Sequence, residues 1–315
     1  MADVEPTGEF GLIGWIRDRS KASGRVALGI GDDCAALRFR AGSEVLVTTD
    51  MLMDGRHFRL GEASPEAIGY KALAVNLSDI AAMAGVPVAA FVAVALPRDI
   101  AVAVAQGLLG GMTPLLERFQ VSLAGGDTNA WDGPLVVTVT LIGESTVRGS
   151  IRRSGARPGD AILVTGPLGG SLLGRHLHPS PRVEEALTIH QVATIHAMID
   201  ISDGLASDLG HILDESGGLG ATLQAVNIPI HADARRMAGD PLEHALQDGE
   251  DFELCLTLSQ DEANRLLANT PPGVELYQIG TVEAEPGLRL ERPDGTILSL
   301  IGHGFDHLAS VRVSP

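Results

Sequence analysis

The sequence predicts two α/β domains, and three observations carry that prediction. Its 315 residues are enough for about two domains, each with a core of its own. Through the first half, apolar residues alternate between the short period of strands and the longer period of helices. A stretch rich in Gly, Ser and Arg over residues 144–158 then interrupts the pattern before it restarts. This divides the chain into 1–148 and 149–315.

Element by element, Phe10, Ile13 and Ile16 are spaced for a helix over 9–19, and residues 26–30 and 44–49 read as strands that run into acidic residues. Ser64 followed by Pro65 is a helix start, with Ser as N-cap and Pro at the first helical position. That helix is expected to reach about residue 83 and stop at Gly85. A buried strand follows over 88–96, then a helix capped by Asp99 and running to 119. Strands over 121–124 and 135–143 complete the first half. In the second half, strands are expected at 160–165, 251–258 and 277–282, and helices at 183–196, 204–216 and 260–268. A glycine-rich turn is expected at Gly166-Pro167-Leu168-Gly169-Gly170.

Composition excludes several classes of function. Asp plus Glu number 40 against 23 Lys plus Arg, a formal charge of −17, so there is no electrostatic footprint for nucleic acid or an anionic membrane. Aromatics make up 3% and show no interleaving with basic residues for stacking bases. Cys34 and Cys255 are the only cysteines, too few for a disulfide framework or a structural zinc site. The acidic N-terminus lacks an apolar signal core, and the apolar run over 86–97 is too short to span a bilayer. A cytoplasmic enzyme is the expectation.

The chemistry concentrates in aspartates set in short motifs, each expected at the end of a strand or helix. They are Asp32 and Asp33 in Gly29-Ile30-Gly31-Asp32-Asp33-Cys34, Asp50 after Thr48 and Thr49, and Asp79 in Asn76-Leu77-Ser78-Asp79. Asp127 follows in Gly125-Gly126-Asp127-Thr128, then Asp200 and Asp203 in Asp200-Ile201-Ser202-Asp203-Gly204. Singly, each reads more simply as a turn or a helix cap. Together, such carboxylates repel unless a divalent cation neutralises them, and magnesium takes oxygen ligands along with substrate phosphates. Asp79 is the most telling, because its helix is apolar nearly all round and a carboxylate there needs a partner or a metal. Asn76, one turn earlier, is placed to orient it. Lys71 is two turns away and is not its expected partner. Gly125 and Gly126 would let backbone approach a phosphate, and Ser202 or Asp203 would cap a helix whose N-terminus suits an anion. The basic cluster Arg152-Arg153-Ser154-Gly155-Ala156-Arg157 is either a brace for phosphoryl oxygens or a solvated linker. No P-loop, complete dinucleotide fingerprint, zinc-protease pattern or Ser–His–Asp arrangement is present.

These motifs resemble the thiamine-monophosphate kinases, within the aminoimidazole ribonucleotide synthetase superfamily. The resemblance extends over nearly the whole chain. It adds Gly55-Arg56-His57-Phe58, Tyr70 through Asp79, Arg153 through Asp160, Gly249-Glu250-Asp251 and Gly304-Phe305-Asp306-His307 to the aspartate motifs. It implies an N-terminal domain whose sheet pairs with its copy in a homodimer, a C-terminal α/β domain that closes the active site, and metal and ATP bound where the domains meet. The implied reaction moves the ATP γ-phosphate to thiamine monophosphate. Asp33, Thr48, Thr49, Asp50, Asp79, Asp127, Asp200 and Asp203 would hold several Mg2+ ions. Gly126, Asp127, Arg153 and Ser202 would contact ATP, with Arg153 and Asp127 acting in catalysis. His57, Glu250 and Phe305 would contact the acceptor, and Asp32 would be a turn residue. Asp248, Phe305 and His178 depart from the commonest residues at their positions. The rivals are another ATP-using synthetase of the superfamily and a non-catalytic nucleotide-binding scaffold.

Overall fold

The computed structural model describes residues 8–21 and 23–300. They form two compact units: one holds the chain to Ser150 together with Leu177–Leu187, the other Ile151–His176 and the chain from Thr188.

In the first unit, α1 (Gly8–Arg19) precedes a short antiparallel ladder of β1 (Val26–Leu28) and β2 (Ala36–Leu37). Then come β3 (Val45–Met53), α2 (Pro65–Ala82), β4 (Val86–Pro97), α3 (Ala101–Arg118), β5 (Ser122–Trp131) and β6 (Val136–Glu144). The four long strands form one sheet in the order β3-β6-β4-β5, with only the β4–β5 pair parallel. α3 makes the crossover that a parallel pair needs.

Helix α2 starts as its sequence dictates, with the Ser64 hydroxyl accepting from the Ala67 N–H at 3.2 Å and Pro65 in the first turn. Its buried residues include Ile68, Leu73, Leu77 and Ile80, because it packs on β3 and β6 on one side and on α3 on the other. The two helices meet backbone to backbone. A Cβ on Gly69 would lie 2.1 Å from the Leu108 carbonyl oxygen, and one on Gly111 would lie 1.8 Å from that of Glu66. Residues Arg98–Arg118 are long and apolar enough to cross a membrane by length and composition. Here that segment supplies α3, whose Val104, Leu108, Met112 and Leu115 are buried.

The second unit holds a seven-stranded sheet in the order β13-β12-β9-β11-β7-β10-β8. Its strands are β7 (Asp160–Val164), β8 (Ala197–Asp200), β9 (Gly220–Gln224), β10 (Leu254–Ser259), β11 (Tyr277–Glu283), β12 (Gly287–Glu291) and β13 (Ile297–Leu300). Only β9 and β12 pair in parallel. The helices are α5 (Leu205–Glu215), α6 (Pro241–Gln247) and α7 (Gln260–Ala268), with α4 (Val183–Val192) divided between the two units at Leu187. Leu205, Leu209, Ile212 and Leu213 of α5 join Ile199, Ile162 and Leu223 of the sheet in one core.

Several expectations are corrected. Asp50 lies inside β3 rather than beyond its end, and the Gly125–Thr128 motif lies inside the ten-residue β5. Backbone pairing with β6 and β4 carries both strands past the residues where the side-chain pattern turns polar. Asp99 sits in a single 3-10 turn, and α3 begins without a side-chain cap. The strands β9, β12 and β13 and the helix α6 were not foreseen: all are short, and β9 and β12 pair with each other across distant chain.

The α2–α3 crossing makes a direct prediction. Gly111→Ala is expected to lower stability by about 3 kcal/mol or more, because the clash is with backbone and cannot be relieved by a rotamer. Denaturant unfolding checks it, and a change below about 0.5 kcal/mol would show that the crossing is looser than described.

Candidate active site

The acidic centre of the first unit follows from the alternation of β3. Leu46 and Leu52 are buried beneath α2, and Thr48 and Asp50 share their face of the strand at half-buried positions. Asp79, on the last turn of α2, is also half-buried. The Thr48 hydroxyl donates directly to an Asp79 carboxylate oxygen. Thr48 therefore performs the orienting role expected of Asn76, whose side-chain N–H donates instead to the Ala72 carbonyl at 3.0 Å. The Asn76 Oδ1 is buried one turn from Asp79 and accepts no hydrogen bond.

Strand periodicity separates the remaining acidic candidates. Thr49 faces the other side of the sheet, where its hydroxyl lies 3.0 Å from that of Thr140. Met51, Thr138, Ala93 and Asp127 are aligned across β3, β6, β4 and β5, so Asp127 shares the Thr49 face rather than the Asp50 face. Asp127 is exposed and accepts from the Asn129 side chain at 2.8 Å. Asp33 is exposed in the turn after β1, where its N–H donates to Asp32 Oδ1 at 2.9 Å. Among the described residues, no three His, Cys, Asp or Glu side chains converge on one point where an ion could sit. Magnesium does not require such a cage, since it keeps water and binds substrate phosphates beside one or two carboxylates. The donors available are all oxygen, as that ion demands.

Gly126 is needed by the sheet itself, because a Cβ there would lie 1.9 Å from the Val92 carbonyl oxygen. Beside it, Gly125, Gly126, Asp127 and Thr128 rim a recess of ≈ 150 Å³. Its walls are apolar: Ile13 and Ile16 of α1, Val92 and Val94 of β4, and Ala105, Leu108 and Met112 of α3.

His57 is fixed by its own loop. Its Nδ1 accepts the Met53 N–H at 3.0 Å, so a neutral ring carries its proton on Nε2 and offers a donor there. Lys71, only 1% exposed, donates to the His57 carbonyl at 3.2 Å. It thus supports the loop that carries His57.

In the second unit, Asp200 ends β8 and is buried, while Ser202 and Asp203 are half-buried in the following loop. Neither caps α5. Gly204 is its N-cap and makes no side-chain bond. The loop is held instead by Asp208, one turn into α5, which accepts the N–H groups of both Ser202 and Asp203 at 3.0 Å. Asp208 is 2% exposed, and burial first, then the nearby Asp200, push its carboxyl up to about 8. Sequence reasoning missed this residue. Its signal was a carboxylate on the apolar face of α5, beside Leu205, Leu209 and Ile212. The Glu250 N–H donates to the Ser202 carbonyl at 2.7 Å, which brings together two candidates far apart in sequence. Arg153 is exposed. Phe305 lies outside the described residues.

Comparison with known proteins identifies relatives of the whole chain. Residues 31–145 match the family described as AIR synthase related protein, N-terminal domain. The chain is 39% identical over 310 residues to a thiamine-monophosphate kinase of Rhodopirellula baltica, spanning 95% of this chain and 97% of the relative. Its fold is similar to the crystal structure of the thiamine-monophosphate kinase from Stenotrophomonas maltophilia K279a. The TM-score is 0.77 at 34% identity, over 94% of this chain and 97% of that one. A structure of AaThiL complexed with AMPPCP and TMP is similar at a TM-score of 0.71 and 30% identity, over 94% of this chain and 96% of that one.

One contact around the second-unit loops is pH-dependent. His244 of α6 has an acceptor at each ring nitrogen, Asp248 Oδ1 at 2.9 Å and the Ala238 carbonyl at 2.9 Å. The imidazolium, which donates from both, is therefore favoured, and the hydrogen bond to Asp248 is the main reason its pKa is raised. Asp248 in turn accepts the Gly170 N–H at 2.9 Å. A pKa raised on folding contributes stability that is complete below the unfolded value and lost as pH climbs through the folded one. The melting temperature of the wild type should therefore exceed that of His244→Ala by more at about pH 5.5 than at about pH 9. An equal gap at both would mean that His244 is neutral in the fold.

Proposed function

The chain belongs to the thiamine-monophosphate kinase family, and from that premise we propose how its residues carry out the transfer of a phosphoryl group from ATP to thiamine monophosphate. The full-length likeness to the Rhodopirellula baltica enzyme carries this reading. The products are thiamine diphosphate and ADP. The acceptor is a phosphate monoester with a second pKa of about 6, so at neutral pH it is already largely a dianion and needs no strong general base. The obstacle is to bring two anions into line on a protein whose own formal charge is −17.

Mg2+ supplies the neutralising charge and polarises the phosphoryl oxygens when bound. Asp33, Thr48, Thr49, Asp50, Asp79, Asp127, Asp200 and Asp203 are the residues proposed to hold it. The Thr48–Asp79 hydrogen bond supports this, since it fixes one carboxylate before any ion arrives. Thr49 would serve through its backbone carbonyl, because its hydroxyl faces Thr140. Gly126, Asp127, Arg153 and Ser202 are proposed ATP contacts, and the apolar recess beside Gly126 fits a purine base. Arg153 braces the transferring phosphoryl group. His57 donates from Nε2 to the acceptor phosphate, while Glu250 and Phe305 grip its cationic ring system. Transfer is direct and in line, without a phosphoenzyme.

The enzyme is further proposed to act as a cytoplasmic homodimer joined through the first-unit sheet. Val45, Val47, Met51 and Met53 of edge strand β3 are all exposed on the face away from α2, an apolar row that a second copy would cover.

Purified protein given ATP, Mg2+ and thiamine monophosphate should yield thiamine diphosphate on chromatography. Absence of that product, with ATP consumed on an aminoimidazole-pathway substrate instead, would overturn the assignment. Asp50→Asn should abolish turnover with the melting temperature preserved, and near-normal turnover would remove Asp50 from the metal set. Ala105→Leu, which fills the recess, should raise KM for ATP about tenfold or more and leave KM for thiamine monophosphate unchanged. An unaltered KM for ATP would place the base elsewhere.

A further inference from the structure

Among the described residues, four that are not glycine have left-handed backbone: Ala84, Gln120, Glu250 and Phe252. Ala84 and Gln120 each follow the C-cap of a long helix, α2 and α3, where a left-handed residue is the ordinary way to end. Glu250 and Phe252 have no such reason. The end of α6 is already made by Gly249 at φ +71, and the chain then turns left-handed twice more, at φ +54 and +52. Conformations of this kind persist only where surrounding structure enforces them.

Asp251, between the two strained residues, supplies much of that enforcement. It is 4% exposed, and both of its carboxylate oxygens are engaged. Oδ2 accepts the Gly169 N–H at 2.8 Å, and Oδ1 accepts from Arg175 Nη2 at 3.0 Å. The same Arg175 nitrogen donates to the Gly169 carbonyl at 2.9 Å, which closes a ring of three residues. Next to it, the Ser171 hydroxyl donates to the Gly249 carbonyl at 2.7 Å. The segment's own N–H groups bond elsewhere: that of Glu250 to Ser202, and that of Phe252 to the Ile201 carbonyl at 2.8 Å. Phe252 is buried. With Asp251 tied to the Gly169 loop and Phe252 in the core, the direction of the Glu250 side chain is determined by its neighbours.

We propose that Asp251 and Arg175 are positioning residues that hold Glu250 in its strained conformation, so that its carboxylate meets the cationic thiazolium ring of the acceptor. The inference rests on the reading that Glu250 contacts the acceptor, and it extends that reading to two residues that touch no substrate. It also accounts for the strain. A relaxed Glu250 would let the carboxylate swing, and the affinity gained from a preformed charge contact would be lost to ordering.

The test is a double-mutant cycle in steady-state kinetics, with ATP, Mg2+ and thiamine monophosphate, each variant first checked by thermal melting. Glu250→Ala, Asp251→Ala and Arg175→Met should each raise KM for thiamine monophosphate about tenfold or more, with a much smaller change in KM for ATP. Asp251→Asn, which keeps an acceptor for only one of the two donors, should fall between the wild type and Asp251→Ala. In a Glu250→Ala background, Arg175→Met should add no more than about twofold, because its effect passes through Glu250. Arg175→Met leaves the Asp251–Gly169 bond in place, so it carries the cycle even where Asp251→Ala does not fold. Additive effects in the cycle, or equal rises in both KM values, would overturn the positioning role while leaving Glu250 as a substrate contact. A normal KM in Glu250→Ala alone would overturn the reading of Glu250, and the inference with it.

Discussion

The packing of α2 is the constraint on which the first unit depends. The helix is buried along nearly its whole length, between α3 and the β3–β6 edge of the sheet. Glycines at its crossing with α3 allow backbone contact there, so its axis has little room to shift. Two polar groups travel with it. Asp79 is delivered to Thr48 on the neighbouring strand, and Lys71 to the His57 carbonyl of the loop that leaves β3. One rigid helix therefore sets both the acidic centre and the loop that carries His57.

The second unit solves a different problem, that of holding loops rather than elements. Its loop residues Ser202, Asp203, Gly249 and Glu250 are fixed by side chains buried behind them: Asp208, Asp251 and Ser171. Carboxylates suit this task because each can accept two N–H groups, though those hydrogen bonds offset only part of the desolvation they suffer. The cost remains visible in Asp208 and in Asp251, whose carboxyl burial pushes up to about 7. Among the described residues, the groups proposed to meet substrate are half-buried or exposed, whereas the carboxylates Asp208 and Asp251 behind them are buried.

Much of the fold was legible because its signals are local. Ser64-Pro65 marks the start of α2 whatever lies around it, and the run to Ala82 is apolar enough to be read as a buried helix. The limits of α7, Gln260–Ala268, match the expectation, with Ser259 as a capping residue that accepts from the Glu262 N–H. By contrast, β5 was expected to end before Gly125 and runs to Trp131, because backbone pairing with β4 continues where side chains no longer announce it. Strands β9 and β12 pair with chain far away and carry too few residues to show a period.

The sequence by itself determined which chemistry the chain can perform. Its aspartates, glycines and hydroxyls point to a metal–polyphosphate site, and the resemblance of their motifs to a known family implies the reaction. Only the tertiary structure decided how those groups are shared out. The alternation of β3 sends Thr48 and Asp50 one way and Thr49 the other, and the register of four strands puts Asp127 on the Thr49 face. Lys71, Asp251 and Arg175 became intelligible only through the groups they bind, which for Asp251 and Arg175 lie far along the chain. A motif reports the groups available for binding. Which group orients which depends on contacts between distant segments, and these exist only once the chain has packed.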